Sequence, residues 1–396
     1  MRILVIDDDA FALRLATHQL GKLGFTDVTA LARPEDALER LEHDVAEFDM
    51  VLLDLQMPGI DGVEFVRHLA RLRFAGGVAL VSGEDERILQ TAHRLARAHD
   101  LEVRGALHKP ITPEQLSALL GPPGTGPRRS RAARKTYTAD RLAQAIAAGE
   151  LVNVYQPQVA LATGEVIGVE TLVRWQHPDD GMVFPDQFIP LAEEHRLIDD
   201  LTRTVLEQAV AQAHEWQGAG LAFHVGVSVS MDNLAALDFP DFVARTLARL
   251  GTTNRALVLE VTESRLMTNA LASLDIVARL RLKHIGLSID DFGTGHSSLA
   301  QLRDIPFDEL KVDRSFVHGA AGNAASRAIL EGSISMARHL GMRVVAEGVE
   351  DRADWDLLRQ LDCDVAQGYF IARPMPAAGL PAWLAEWEAR RAELAG

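Results

Sequence analysis

Short, almost uninterrupted apolar runs alternate with helical periodicity over the first third of the chain. Residues 3–6, 50–53 and 78–81 are runs of four apolar side chains, and residues 11–20 repeat apolar positions at helical spacing. Runs without polar alternation are typical of parallel strands that helices cover on both faces. The pattern therefore predicts an α/β fold, a doubly wound (βα)5 domain, over residues 1–120.

A break in this pattern separates the first domain from the rest of the chain. Residues 121–127 contain one residue that is neither glycine nor proline, so neither helix nor strand is expected to continue there. Residues 121–135 carry five basic and no acidic side chains, which we interpret as a solvated linker. Thr138 is a predicted helix cap, and Gly149 a predicted helix stop. Residues 136–396 then form the predicted second domain.

The second domain repeats a different pattern, in which a short aliphatic run leads directly into an acidic residue. Parallel strands separated by helical segments place their carboxyl ends at one rim of a barrel, where barrel enzymes keep their chemistry. Several carboxylates gathered there need positive compensation, which a hard divalent cation supplies. The pattern therefore predicts a metal-dependent barrel enzyme. The acidic residues in question are Glu170, Glu260, Asp290, Asp291, Asp313 and Glu347.

Composition narrows the class of protein. The 396 residues carry a formal net charge of −16, which argues against a large DNA-binding surface. Cys363 is the single cysteine, so no intrachain disulfide is possible. No apolar stretch approaches the ~18–20 residues of a membrane span, and the amino terminus is not typical of a signal peptide. We therefore expect a cytoplasmic protein without membrane insertion.

Four groups in the first domain follow predicted strands. They are Asp7-Asp8, Asp54, Ser82 and Lys109, and an open α/β sheet places its ligand site at such strand ends. The constellation resembles the receiver domain of bacterial response regulators. The resemblance implies that Asp54 accepts a phosphoryl group from a histidine kinase or phosphotransfer protein. It also implies that Asp7, Asp8 and Asp54 hold one Mg²⁺, while Ser82 and Lys109 contact the phosphoryl oxygens. Ala106 departs from the family, which often has an aromatic residue at this position.

The second domain resembles the EAL family of cyclic di-GMP phosphodiesterases along its whole length. The motifs that carry the resemblance appear in the order of that family. They are residues 155–158 (YQPQ), 170–175 (ETLVRW), 260–263 (EVTE), 290–298 (DDFGTGHSS), 310–316 (LKVDRSF), 346–350 (AEGVE) and 367–369 (QGY).

This resemblance implies a modified TIM-type barrel that hydrolyses cyclic di-GMP to linear pGpG with two Mg²⁺ or Mn²⁺ ions. One ion would be held by Glu170, Glu260 and Asp290, and the second by Asp290, Asp291 and Glu347. Lys311 would position or activate the attacking water. The other residues that the resemblance implicates are Glu263, which anchors a flexible loop, and the substrate-binding residues Gln156, Arg174, Asp313 and Gln367, with Gln158 in the same groove.

Two positions depart from the EAL pattern. Thr171 replaces the signature alanine and is not a ligand, so little effect is expected. Ser228 stands where the family carries a metal-binding asparagine, and loss of that ligand would cost roughly 10–100-fold in affinity or activity. Asn233 is close in sequence, but we expect it to cap the following segment. We assign no histidine to a metal, because His224 and the others lack ligand spacing.

The sequence therefore favours a response regulator whose output is cyclic di-GMP hydrolysis, regulated by phosphorylation of Asp54. An alternative remains open, a cyclic di-GMP receptor with weak or no turnover, and Ser228 is the residue that supports it. A scaffold for protein contacts is a third interpretation, which the retained acidic residues oppose. The resemblance also predicts a homo-oligomer. The sequence does not indicate whether phosphorylation activates or inhibits.

Overall fold

The structure is a computed structural model, and it describes residues 1–83, 86–99, 101–121, 137–221, 223–262, 270–293, 302 and 305–394. The chain divides into two compact units, Met1–Ala133 and Arg134–Gly396. Most of the predicted linker lies outside the described residues.

The first unit is built on a parallel five-stranded sheet. Its strands are β1 (Ile3–Ile6), β2 (Val28–Leu31), β3 (Met50–Asp54), β4 (Gly77–Ser82) and β5 (Glu102–His108), in the order β2-β1-β3-β4-β5. The order reverses between β1 and β3, and ligand sites of open α/β sheets lie at such points. The helices are Ala10–Lys22, Pro34–His43, Gly62–Arg71, Glu86–Ala98 and Pro113–Leu120.

Helices cover both faces of this sheet, which confirms the predicted doubly wound fold. Leu52 packs with Leu20 and Leu116 on one face, whereas Leu53 packs with Phe65 on the other. Strand β2 was not specified by an apolar run, and the structure shows why. Its four residues are half-buried or exposed at the edge of the sheet, so burial does not demand apolar side chains there.

The second unit contains a closed barrel, whose strands are numbered on from the first sheet. The ring runs β6-β7-β9-β10-β11-β12-β13-β14 and returns to β6, while β8 and β15 extend its margins. Strand β6 pairs antiparallel with both β7 and β14, whereas the other neighbours in the ring are parallel. This is the modified (β/α)8 barrel that was predicted. The bounds are β6 (Leu151–Ala160), β7 (Val166–His177), β8 (Gly181–Val183), β9 (His224–Val229), β10 (Leu257–Thr262), β11 (Gly286–Phe292), β12 (Glu309–Val312), β13 (Arg343–Ala346), β14 (Val365–Ala366) and β15 (Met375–Pro376).

Helices surround this barrel and bury its outer surface in one continuous apolar core. The first begins after Thr138, whose side chain accepts a hydrogen bond from the Arg141 amide, and it ends at Gly149 in the left-handed region. Both ends agree with the predicted signals. The described helices are Ala139–Ala148, Ile189–Glu194, Ile198–Gly218, Met231–Ala235, Phe239–Leu250, Ala270–Leu282, Arg314–Val317, Ala324–His339, Arg352–Gln360 and Leu380–Leu394.

The positions of the acidic residues differ partly from the expected pattern. Asp313 and Glu347 directly follow β12 and β13, as expected. Glu170, however, lies inside β7, which continues to His177, and Glu260 lies two residues before the end of β10. Glu170 and Glu260 can lie within strands because their side chains point into the barrel, where the Lys311 ammonium lies close to both carboxylates.

Candidate active site and receiver site

The polar centre of the barrel is the ammonium group of Lys311, which is completely buried. Strand β12 places this side chain in the barrel, where carboxylates from four other strands or strand ends surround it. Its Nζ lies 2.7 Å from Glu347 Oε1, 3.1 Å from Glu260 Oε2, 3.2 Å from Asp290 Oδ1 and 3.6 Å from Glu170 Oε1. We call these four side chains the carboxylate ring. Lys311 is therefore the charge that holds the acidic residues together.

One ammonium does not compensate this much negative charge. Burial raises the pKa of Glu260 well above its usual value, despite the opposing effect of Lys311. Burial, together with Asp290 and Glu170, raises the pKa of Glu347 to about 8. Burial disfavours the Lys311 ammonium, but the surrounding carboxylates outweigh this effect and raise its pKa. The site therefore attracts either protons or further cations.

Three carboxylates form a compact set of oxygen donors at the rim. Ligand atoms of Asp290, Asp291 and Glu347 lie within 4.8 Å of one another. Consecutive side chains of a regular strand point to opposite faces, but the register shifts between Ile289 and Phe292, and Asp291 has φ of 55°. This local distortion allows neighbouring aspartates to serve one site. Burial, followed by repulsion from Asp290, raises the pKa of Asp291 to about 6. Hard oxygen donors with excess negative charge fit a divalent cation such as Mg²⁺ or Mn²⁺.

Two of the predicted substrate-binding residues, Gln156 and Gln367, form hydrogen bonds inside the barrel. Gln367 is buried, and its amide nitrogen donates to Glu170 Oε2 and, at 3.2 Å, to Gln156 Oε1. The Gln156 amide nitrogen donates to the Ala372 carbonyl at 3.0 Å. Gln367 therefore positions Glu170, and Gln156 holds Gln367 in place.

The other two predicted substrate residues are more accessible. Arg174 is half-buried, and its guanidinium lies 5.1 Å from the ring centroid of Phe184, which is exposed. Asp313 is half-buried and caps the helix Arg314–Val317, accepting a hydrogen bond of 2.9 Å from the Ser315 amide. Repulsion from Asp313 contributes to the raised pKa of Asp291, so Asp313 acts on this rim.

Ser228 lies on the barrel wall beside the carboxylate ring. It is exposed on β9, and its register partner on β10 is Glu260. Asn233 does not take its place, because Asn233 is buried in a capping box with Ser230 and donates to Asp199 Oδ1 at 2.6 Å. This agrees with the expected capping role. Glu263 lies outside the described residues.

The first unit brings its predicted site residues together at the carboxyl ends of its strands. Lys109 Nζ lies 2.7 Å from Asp7 Oδ2 and 2.8 Å from Asp54 Oδ2. Ligand atoms of Asp7, Asp8 and Asp54 lie within 4.8 Å of one another. Ser82 ends β4, and its side chain is buried. One end of the sheet therefore carries three carboxylates and a lysine.

The negative charge of the Asp7, Asp8 and Asp54 site is also not fully compensated by Lys109. Burial raises the pKa of Asp54, and repulsion from Asp7 adds to this effect, while Lys109 opposes it. Asp54 Oδ1 is buried and has no hydrogen-bond partner among the described residues. A buried carboxylate oxygen beside two further carboxylates fits a hard divalent cation.

A third group of potential ligands has a structural role. His318, Asp351 and Asp354 approach one another, but the Asp354 oxygens accept hydrogen bonds from His318 Nδ1 and from the Gly319 and Glu350 amides. Asp354 therefore fastens two loops of the barrel, and we assign it no ligand.

Sequence reasoning missed the connection between His224 and this site. His224 Nε2 lies 3.2 Å from Gln158 Oε1, and the Gln158 amide nitrogen donates to Gln367 Oε1 at 2.8 Å. A search for metal-ligand spacing could not identify His224, because His224 contacts a glutamine and not a metal ligand. The available signal was the run of polar residues at alternate positions of β6, namely Gln156 and Gln158.

Comparison with known families assigns both units. Residues 139–374 match the EAL domain family. The chain belongs to the EAL domain family. Residues 3–120 match the response regulator receiver domain, so both predicted resemblances are confirmed.

Individual relatives agree with this assignment. The chain is 32% identical to the cyclic di-GMP phosphodiesterase RocR of Pseudomonas aeruginosa over 380 residues, which cover 95% of this chain and 96% of RocR. It is 42% identical over 245 residues to MucR of the same organism, a bifunctional diguanylate cyclase/cyclic di-GMP phosphodiesterase, covering 62% of this chain and 36% of MucR. A solved structure of the MucR phosphodiesterase with c-di-GMP has 41% identity and a TM-score of 0.58, covering 61% of this chain and 98% of that one. Among the residues described here, no helix is long and apolar enough to cross a membrane.

Proposed function

We propose that this protein hydrolyses cyclic di-GMP to linear pGpG at the carboxylate ring, and that phosphorylation of Asp54 regulates the reaction. The observation that carries the proposal is the convergence of Glu170, Glu260, Asp290 and Glu347 on Lys311. The family assignment and the similarity to RocR along most of the chain support the same activity.

The donor set suits two divalent cations. Glu170, Glu260 and Asp290 would hold one ion, and Asp290, Asp291 and Glu347 the other. Bound there, divalent cations would activate a water and neutralise charge on the phosphodiester. The ions would themselves compensate the carboxylates. The Lys311 ammonium would then be free to donate a hydrogen bond to the attacking water or to a phosphate oxygen.

Residues at the rim would orient the substrate. Arg174 is the half-buried cation nearest in sequence to Glu170, and a guanidinium pairs with two phosphate oxygens at once. Asp313 would act through its charge on the same rim. Gln156 and Gln367 would act by holding Glu170, because their amides are already bonded within the barrel.

The receiver site supports the regulatory part of the proposal. Asp54 is a buried carboxylate that shares the Lys109 ammonium with Asp7, and it would take a phosphoryl group from a histidine kinase or phosphotransfer protein. One Mg²⁺ held by Asp7, Asp8 and Asp54 would neutralise the crowded charge during transfer. A homo-oligomer and a cytoplasmic location remain predictions from the sequence.

Product analysis tests the hydrolysis. The purified chain is incubated with cyclic di-GMP in Mg²⁺ or Mn²⁺ in ¹⁸O-water, and the products are identified by mass spectrometry. We expect pGpG with one ¹⁸O in its terminal phosphate. We expect Glu260→Gln to be slower on the order of a hundredfold, whereas the partly exposed control Glu207→Gln should keep its activity. Equal pGpG production by Glu260→Gln would contradict the assigned site.

A phosphodonor experiment tests the regulation. Turnover is measured with and without acetyl phosphate for the unmodified chain and for Asp54→Asn. We expect a change of rate in the unmodified chain alone. A response that is identical in both proteins, or absent from the unmodified chain although Asp54 is phosphorylated, would contradict regulation through Asp54.

Ser228 supports a second candidate function, a cyclic di-GMP receptor with little turnover. A serine hydroxyl beside Glu260 is shorter than the asparagine of the family, and a metal would be held less well. Ser228→Asn decides between the two candidates. If both proteins produce pGpG, serine is tolerated and the enzyme proposal stands. If the unmodified chain binds cyclic di-GMP but only Ser228→Asn produces pGpG, the natural protein acts as a receptor.

A further inference from the structure

His224 is connected to the carboxylate ring by hydrogen bonds through two glutamine side chains, and it lies beside a glycine. Gln158, Gly168 and His224 are register partners on the neighbouring strands β6, β7 and β9. A Cβ on Gly168 would lie 2.4 Å from His224 Nε2. Because glycine occupies the middle strand, the imidazole has room to approach the Gln158 side chain, and Nε2 lies 3.2 Å from Gln158 Oε1.

The chain of hydrogen bonds continues from Gln158 to the carboxylate ring. The Gln158 amide nitrogen donates to Gln367 Oε1 at 2.8 Å, and the Gln367 amide nitrogen donates to Glu170 Oε2. Gln158 and Gln367 are both at least 96% buried, so water does not replace a lost partner easily. We call this connection the His224–Glu170 chain.

The charge of Glu170 fixes the direction of every hydrogen bond in the His224–Glu170 chain. An ionised carboxylate only accepts, so Gln367 must present its NH₂ group to Glu170 and its oxygen to Gln158. Gln158 must then present its NH₂ group to Gln367 and its oxygen to His224. The last partner is therefore required to be a donor, which a ring N–H at Nε2 provides.

The surroundings of His224 keep it a neutral donor. Burial, with a smaller effect from Arg343, lowers the pKa of His224 to about 4, while a hydrogen bond to the Ile167 backbone carbonyl opposes this shift. A neutral imidazole carries one ring proton, and Gln158 Oε1 accepts that proton only when it lies on Nε2. In this tautomer His224 offers an N–H to Gln158 without adding a charge to the barrel.

We propose that His224 is a positioning residue for the metal site, because its Nε2–H orients Gln158, which through Gln367 orients the Glu170 carboxylate. This inference rests on the proposed function, in which Glu170 is a metal ligand. Outer hydrogen-bond partners that orient a ligand typically contribute about 10–100-fold to metal affinity. His224 lies two amides away from Glu170, so we expect the lower end of that range.

Binding of Mn²⁺ alone, measured by calorimetry without substrate, tests the inference. The full-length chain carries Asp7→Asn and Asp54→Asn, so that the receiver site does not contribute. We expect His224→Leu to weaken Mn²⁺ binding about tenfold. His224→Gln should bind Mn²⁺ almost as tightly as the parent with His224, because the glutamine amide keeps an N–H near the position of Nε2. His339→Leu, at an exposed histidine on an outer helix, is the matched control and should not change binding.

A second variant separates positioning from a general loss of structure. Gln158→Met removes the amide at nearly constant shape and should weaken Mn²⁺ binding at least as much as His224→Leu. If His224 acts through Gln158, adding His224→Leu to Gln158→Met should cause little further loss. Additive losses, or failure of His224→Gln to restore affinity, would overturn the inference.

Turnover by the unmodified chain distinguishes this inference from the proposed function. If the unmodified chain hydrolyses cyclic di-GMP while folded His224→Leu and Gln158→Met bind Mn²⁺ like their parent, only the role of His224 is overturned. Absence of metal-dependent turnover in the unmodified chain would instead overturn the proposed function.

Discussion

Replacing Lys311 with methionine removes a buried ammonium that lies close to all four members of the carboxylate ring. Methionine keeps the length of the side chain but not its charge. The four nitrogen–oxygen distances lie between 2.7 and 3.6 Å, and Lys311 is completely buried. Breaking a buried ion pair by removing one partner typically costs about 3–5 kcal/mol of unfolding free energy.

The magnitude should depend on pH. Without Lys311 the carboxyl groups are expected to have still higher pKa values in the folded state than in the unfolded chain. Stability from such groups is present below the unfolded pKa and is lost as pH rises through the folded pKa. The pKa of Glu347 is already raised to about 8. We therefore expect a loss of about 3 kcal/mol at pH 8 and a smaller loss at pH 5.

Urea unfolding of the metal-free protein measures this loss in the barrel alone. All five tryptophans, at positions 175, 216, 355, 383 and 387, lie in the second unit, so their fluorescence reports on the barrel. At a slope of about 3 kcal/mol/M, the midpoint should fall by about 1 M urea at pH 8. Lys283→Met is the matched control. Lys283 forms a partly exposed pair with Asp241 at 3.0 Å, so its loss should leave the urea midpoint almost unchanged. An unchanged, pH-independent midpoint for Lys311→Met would refute the role of Lys311 as the central charge.

Three further predictions follow from described contacts. Burial raises the pKa of Asp291 to about 6, and burial with neighbouring carboxylates raises the pKa of Glu347 to about 8. Protons therefore compete with Mg²⁺ for these groups, and the Mg²⁺ affinity measured by calorimetry should rise between pH 6 and pH 8. An affinity that does not change with pH would contradict this competition. Lys109→Met removes the ammonium 2.8 Å from Asp54 and should slow labelling by acetyl phosphate on the order of a hundredfold; an unchanged rate in mass spectrometry would exclude Lys109 from phosphoryl transfer. Gly168→Ala should displace the imidazole described above and weaken Mn²⁺ binding to the barrel, at a stability cost of about 1–3 kcal/mol; unaltered binding would show that the glycine is not required.

The sequence predicted those parts of the fold that burial dictates. Runs such as residues 3–6 and 50–53 became strands because both faces of the sheet are covered. No apolar run marked strand β2, because its side chains are half-buried or exposed. The residues of β6 do not by themselves show that it is antiparallel, since alternation along a strand does not show the direction in which it pairs.

The candidate site was predicted as a set of acidic residues, and its internal arrangement was not. Spacing placed Glu347 and Asp313 at strand ends, but it also placed Glu170 at a strand end, where the structure has it inside β7. Strand-end patterns cannot show that a single lysine from another strand permits carboxylates within the barrel. The assignment of cyclic di-GMP as substrate came from family resemblance rather than from the physics of these residues.

Long-range polar contacts were the least predictable feature. Gln158 and Gln367 are 209 positions apart in sequence, and His224 is 66 positions from Gln158. Only the closure of the barrel brings them together. The contact between Arg174 and Phe184 was equally hard to predict. Phe184 is exposed and its ring lies beneath the Arg174 guanidinium, whereas Trp175 and Phe188 are buried.

Turnover of cyclic di-GMP by the purified, unmodified chain is the most direct test of the account. The reaction is followed in Mg²⁺, in Mn²⁺ and in excess chelator, with Asp290→Asn assayed in parallel. The account predicts metal-dependent formation of pGpG that chelation abolishes and that Asp290→Asn loses. No pGpG in either metal, or equal turnover by Asp290→Asn, would contradict the claim that the carboxylate ring is the active site of a phosphodiesterase.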